Sequence, residues 1–145
     1  MNKTVLALLL ATGCSTIALA QQKKENMGNP KIPVNVEKAF GKSHPNVKAK
    51  WEKEDGKYEA AFKENGHKMS QLFSADGTLE ETEIEIPIQQ LPATASQYIK
   101  QHQLGTIKEA AKITTADGSI RYEAEVKSGD VLFDTKGNFI KLQKD

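Results

Sequence analysis

The chain has 145 residues, 38% of them hydrophobic, and 20 Lys plus Arg stand against 19 Asp plus Glu for a formal net charge of +1. So even a balance supplies no electrostatic pull toward nucleic acid or anionic lipid, which sets aside the functions that depend on one. Cys14 is the only cysteine, so no internal disulfide framework is available and stability must come from a packed core.

The first twenty residues read as an export signal. Lys3 gives the positive start, Val5 to Ala11 is an apolar run, and Ala18-Leu19-Ala20 is a small-x-small cleavage site that leaves Gln21 as the mature N-terminus. The run is too short to span a bilayer. Leu10-Ala11-Thr12-Gly13-Cys14 is a competing lipoprotein signal in which Cys14 would be acylated, with Ala11 where a larger aliphatic residue is usual; a lipid anchor is expected only if Cys14 is processed. Cleavage leaves about 125 residues, enough to bury one core. Residues 21–31 (QQKKENMGNPK) are polar and read as a flexible leader ahead of a folded region at 32–145.

That folded region is written twice, as units 32–86 and 87–145. Lys57-Tyr58-Glu59-Ala60 returns as Arg121-Tyr122-Glu123-Ala124, and Leu72-Phe73-Ser74-Ala75-Asp76-Gly77 returns as Leu132-Phe133-Asp134-Thr135-Lys136-Gly137. A repeat of this length is one supersecondary unit used twice. Each unit opens with a proline and an apolar stripe at i, i+3, i+4 spacing: Val36, Ala39 and Phe40, then Ala95, Tyr98 and Ile99. The spacing predicts helices over 33–43 and 92–102.

Four antiparallel strands are predicted after each helix, with the turns setting their register. Asp55-Gly56 pairs Trp51 with Ala60, Asn65-Gly66 pairs Phe62 with Met69 and Tyr58 with Phe73, and Ala75-Asp76-Gly77 sets Phe73 opposite Leu79. All these residues share one face. In the second unit Asp117-Gly118 is read as a two-residue turn pairing Ile113 with Tyr122 and Ala111 with Ala124. Ser128-Gly129 pairs Val126 with Val131, and Thr135-Lys136-Gly137 sets Phe133 against Phe139. The pattern fails in two places: Glu109 falls on the apolar face, and Ile84 with Ile86 are out of phase with Leu79, which calls for a bulge.

The expected architecture is α+β, a tandem duplication of a helix and a four-stranded antiparallel meander, with the helices on one face of two sheets side by side. The other face is left to solvent. It carries Lys48, Lys50, Glu52, Glu59, Lys63, Lys68, Ser70 and Leu72 in the first unit and Lys112, Glu123, Glu125 and Leu132 in the second. Lys50, Glu52, Glu59, Lys63, Leu72, Glu123 and Leu132 are its candidate protein-binding residues, and the two leucines at equivalent positions are expected to be exposed.

Pro33-x-x-Val36-x-x-Ala39-Phe40, the string Trp51-Glu-x-x-Asp55-Gly56-x-Tyr58-Glu59-Ala60, Leu72-Phe73-Ser74-Ala75-Asp76-Gly77 and Glu83-Ile84-Glu85-Ile86-Pro87 resemble the PepSY-like, β-lactamase-inhibitor-like (BLIP-like) domains exported by Bacteroidetes. The likeness covers residues 32–142. It implies an α+β fold of tandem helix plus four-stranded units in a periplasmic or secreted protein with no established enzymatic activity. The second unit departs from the pattern, with Thr114-Thr115-Ala116 in place of Glu52-Lys53-Glu54 and no tryptophan.

The remaining motifs assemble no chemistry. Trp51 is expected to pack in the core. His44, His67 and His102 have no metal-ligand spacing, and Ser43 beside His44 is a neighbour in sequence only. The acidic run Asp76, Glu80, Glu81, Glu83, Glu85 offers oxygens to a hard cation but lacks an EF-hand loop. No catalytic, cofactor-binding or metal site is therefore expected. The reading is a module for an unidentified periplasmic or secreted protein partner, with a small ligand- or calcium-responsive sensor as the alternative.

Overall fold

The computed structural model describes residues 30–144; the expected export signal and most of the expected leader lie outside them. Helix α1 (Val34–Ser43) is followed by β1 (Lys50–Glu54), β2 (Lys57–Glu64), β3 (His67–Phe73) and β4 (Leu79–Glu85). After a 3-10 turn at Ile88–Gln90 come α2 (Ala93–Gln101), β5 (Glu109–Thr115), β6 (Ile120–Val126), β7 (Gly129–Phe133) and β8 (Phe139–Gln143). The strands form one antiparallel sheet of eight in the order β1 to β8. Strand β4 pairs with β5 from Glu81↔Thr115 to Glu85↔Ala111, so the sheet is continuous where two separate sheets were expected.

In the first half the turns act as the residues dictate. Asp55 and Gly56 have φ of 48° and 81°, and Asn65 and Gly66 have φ of 51° and 84°, the left-handed pairs that a tight two-residue hairpin needs. Trp51 faces Ala60, Phe62 faces Met69 and Tyr58 faces Phe73 as the turns predict. The bulge is found between Leu72 and Phe73, which brings Ile84 opposite Met69 and accounts for its phase.

The second half corrects two registers. The loop after β5 has three residues, Ala116-Asp117-Gly118, closed by Thr115 N–H donating to the Ser119 carbonyl and Gly118 N–H donating to that of Thr115. The Asp117 carboxylate accepts from Ser119 N–H and from the Thr115 hydroxyl, which holds the longer loop together. One extra loop residue slips the register by one, and a slip of one turns every side chain of a strand over. Lys112 therefore lies opposite Tyr122 on the helix face, while Ala111 and Ile113 lie opposite Glu123 and Arg121 on the other. Glu109 moves with them, which removes its misfit. The next turn is Lys127-Ser128, pairing Val126 with Gly129 and Ala124 with Val131. That is a shift of two, so the faces are kept.

Two apolar clusters lie on the helix face. One joins Val36 and Phe40 of α1 to Tyr58, Ala60, Phe62 and Phe73, with Trp51 packed against it. The other joins Leu91, Ala95 and Ile99 to Ala110, Ala124, Val126, Val131 and Phe133. Tyr122, expected in the core, is only partly buried at its edge. Strand β4 belongs to neither cluster and has no fully buried residue. Between the clusters the helix face is mixed: Gln71 is buried and donates from Nε2 to Thr82 Oγ1 at 3.4 Å, Lys112 and Thr114 lie across the seam, and partly buried Ile84 stands between Met69 and Lys112.

Candidate functional site

The face without helices is ordered in rows by the register. One row runs Glu52, Glu59, Leu72, Glu81, Thr115 across β1 to β5. A second runs Lys50, Ala61, Ser70, Glu83, Ile113, Arg121 across β1 to β6. Glu85, Ala111, Glu123, Leu132 and Lys141 make a third, and Glu109, Glu125 and Asp130 stand directly opposite one another in a fourth. Like charges in opposed positions cost a sheet stability.

All seven candidate residues lie on this face, but it does not treat them alike. Lys50 and Glu52 are exposed and pair with each other at 2.8 Å, and Lys63 is exposed. Glu59 and Leu72 are partly buried. Leu132, expected to be an exposed contact, is 3% exposed, and Ile113 on the same face is 4% exposed. Long neighbours across the strands, Glu123 and Lys141 for Leu132 and Glu83 and Arg121 for Ile113, shield the shorter side chains. Of the other residues assigned here, Lys48 lies before β1 and Lys112 is on the helix face.

The result is a hollow of about 160 Å³ floored by Ala111 and walled by Glu83, Glu85, Glu109, Glu123 and Asp130. Cations reach its rim. Lys68 Nζ lies 3.3 Å from Glu85 and 2.9 Å from Glu109, Lys108 lies 2.9 Å from Glu125, and Arg121 lies 3.8 Å from Glu81. Among the described residues no ion pair reaches Glu83 or Glu123. Burial, then the charges of Glu59 and Asp130, pushes the Glu83 carboxyl up to about 7. Burial, then Glu83 and Asp130, pushes Glu123 up to about 8. Carboxylates that cannot find a counter-charge out of water keep their protons instead.

Sequence reasoning missed this hollow because the one-residue slip at Ala116-Asp117-Gly118 had put Ala111 and Ile113 on the wrong side. The Thr115 and Ser119 that flank the loop, equivalent to Ser74 and Thr78 around Ala75-Asp76-Gly77, were the signal for a three-residue turn. A larger depression of about 570 Å³ beside α2, lined by Ile88, Ile99, Lys100 and Ile107, is apolar and offers one ionisable group, so it is the poorer candidate for chemistry.

The acidic run of the sequence does not converge. Asp76 is held in its own turn by the Ser74 hydroxyl and Thr78 N–H, Glu80 pairs with Lys57, Glu81 with Arg121 and Glu85 with Lys68. Among the described residues no group of three His, Cys, Asp or Glu is placed to hold a metal ion, and no helix is long and apolar enough to cross a membrane. His44 is buried at the end of α1, its Nδ1 2.9 Å from Glu64. His67 is exposed, and His102 stacks on Tyr98 at 4.1 Å between ring centroids. Trp51 meets Phe40 edge-on at 5.5 Å, as a packing residue does.

A family model described as "Putative beta-lactamase-inhibitor-like, PepSY-like" matches residues 56–141. A "putative periplasmic" protein of Bacteroides eggerthii has a similar structure, with TM-score 0.65 at 18% identity over 79% of this chain and 90% of that one. A DUF2874 family protein of Bacteroides uniformis gives 0.63 at 16% identity over 77% and 88%, and a BLIP-like protein of Bacteroides fragilis gives 0.58 at 20% identity over 81% and 89%. At these identities the structures share the fold. A search of curated proteins gives no match.

Proposed function

The chain belongs to the PepSY-like, β-lactamase-inhibitor-like family, and from that membership and the form of its sheet we propose a non-enzymatic, exported module that binds a protein partner on the face opposite its helices. The observation that carries this reading is the hollow around Glu83 and Glu123, where the strands hold carboxylates half out of water without a counter-charge. A fold that maintains so costly an arrangement on a surface left open by both helices uses that surface. Lys50, Glu52, Glu59, Lys63 and Leu72 form its outer part, Glu123 lines the hollow, and Leu132 stands opposite Glu123 on the next strand.

In this reading residues 1–20 are a cleaved signal and residues 21–31 a leader. Residues 32–86 and 87–145 are two copies of one ancestral unit whose edge strands β4 and β5 joined. The product is periplasmic or secreted, and the mass of its N-terminal peptide distinguishes a start at Gln21 from a lipid on Cys14.

A photo-crosslinking amino acid at position 72, on the open face, should trap a protein adduct in exporting cells. The same group at position 38, exposed on α1, should not. Equal adducts from both positions, or adducts from position 38 alone, would sink the reading.

A further inference from the structure

The sheet ends at β1 on one side and at β8 on the other, so each of these strands has a strand neighbour on one side only. An outer edge of that kind presents a row of backbone donors and acceptors to any strand that fits it. The molecule already contains one such union. Strand β4 follows the bulged loop after β3 as β8 follows the one after β7, and β5 opens the second run of strands as β1 opens the first. Within the chain the outer edge of β4 receives β5, and Ile86 N–H donating to the Ala110 carbonyl and Ala116 N–H donating to that of Glu80 lengthen the ladder at both ends. The outer edges of β8 and β1 stand in the same relation, one copy to the next.

Their side chains show which strand fits each edge. Antiparallel pairing of β8 with another β8, centred on the strand, sets Lys141 opposite Lys141, and β1 centred on another β1 sets Glu52 opposite Glu52. Opposed like charges disfavour both. Pairing β8 with β1 in the same centred register sets Lys141 opposite Glu52 instead. Both residues are exposed on the face without helices, and among the described residues no ion pair reaches Lys141. On the helix face this register sets Leu142 opposite Trp51. Leu142 is partly buried at the margin of the second apolar cluster, and Trp51 is partly buried at the margin of the first. Their meeting covers both margins and joins the second cluster of one copy to the first cluster of the next.

We propose that this protein associates with itself edge to edge, β8 of one copy adding to β1 of the next, so that copies run head to tail in one continued sheet. The contact is heterologous, because each copy offers a different strand at each end, and it propagates unless rotation closes it into a ring. Helix face meets helix face in this register, so the open faces of successive copies line up as well. The contact lies on strand edges and is independent of what binds the open face. The two readings therefore fail separately.

Sedimentation velocity of the whole protein over a rising concentration series reads the association, and the mean mass should climb past that of a dimer. Lys141→Glu or Glu52→Lys alone should weaken the association constant about three- to tenfold, the scale of a cross-strand charge pair turned repulsive, and the chain carrying both changes should recover it. A monomer at every concentration up to the millimolar range overturns the proposal. So does growth that stops at a dimer, which marks an isologous contact, or a double variant that recovers nothing. Covalent trapping gives an answer that does not depend on these charges, including where a charge variant does not fold. In a Cys14→Ser background, which leaves no other thiol, diamide oxidation of the Glu52→Cys, Lys141→Cys variant should give a ladder of disulfide-linked multimers. Seven strand spacings, roughly 30 Å, separate the two positions within one molecule, so no internal bond competes. Lys53→Cys with Lys141→Cys places the thiols on opposite faces and should give no ladder. Ladders from both pairs, or from neither, overturn the proposal.

Discussion

Single residues in this protein are governed less by which face they occupy than by what stands beside them. Phe62 is 7% exposed and meets Phe40 edge-on at 5.1 Å and the His44 ring at 4.5 Å, so it locks α1 to the sheet. Phe62→Ala should lower stability by about 3–5 kcal/mol in a denaturant titration, the cost of transfer plus the cavity left under the helix. A loss below about 1 kcal/mol would mean that this cluster does not carry the fold. Leu132 shows the opposite case. It sits on the face without helices and is nonetheless buried, so Leu132→Asp acts on stability through an unpaired buried charge and cannot serve as a clean probe of binding. Leu72, partly buried between Glu59 and Glu81, is the residue of the matching pair that can be replaced with the fold intact.

Among the elements, the loops after β3 and β7 do more than turn the chain. At Gly77, with φ of 90°, an added Cβ would come within 2.7 Å of the Asn35 carbonyl oxygen in α1. At Gly137, with φ of 81°, it would come within 2.8 Å of the Ala95 nitrogen in α2. Each loop is thus pressed against the first turn of its helix. Gly56, also at φ of 81°, has open space around it. Gly56→Ala should therefore lose only the left-handed backbone cost, about 1–2 kcal/mol. Gly77→Ala should lose distinctly more, because backbone must move as well. Equal losses for the two variants in parallel thermal melts would show that the loop is not seated on α1.

At the scale of the whole molecule, two sets of carboxyl groups set opposite limits on stability. Glu83 is raised by burial and then by the charges of Glu59 and Asp130, and Glu123 by burial and then by those of Glu83 and Asp130, so the folded state holds protons that the unfolded chain releases. Their contribution is present below the ordinary glutamate value of 4.5 and is lost as pH rises through about 7 and about 8. The turn aspartates run the other way: Asp117 is held down to about 2, chiefly by the Thr115 hydroxyl, and Asp76 is lowered chiefly by that of Ser74. Their contribution is present above the ordinary aspartate value of 3.8 and is lost as pH falls through the folded value. The melting temperature should therefore peak on the acid side of neutrality, between about pH 4 and 6, and decline toward pH 9. A plateau that runs unchanged from pH 6 to 9 would contradict the burial of the two glutamates. The sequence by itself determined both helices, the hairpins at Asp55-Gly56 and Asn65-Gly66, the bulged loops and the apolar face under α1, because hydrophobic period and turn chemistry are local and each agreed with the others. Only the tertiary structure decided that β4 pairs with β5 and that Ala111 floors a hollow, with Ile113 turned to the same face. Strand pairing between the halves has no turn to specify it, and one added loop residue at Ala116-Asp117-Gly118 inverts a whole strand with hardly any change in local pattern. The site depends on those two features, since the pairing brings Glu83 near Glu123 and the inversion opens the space between them.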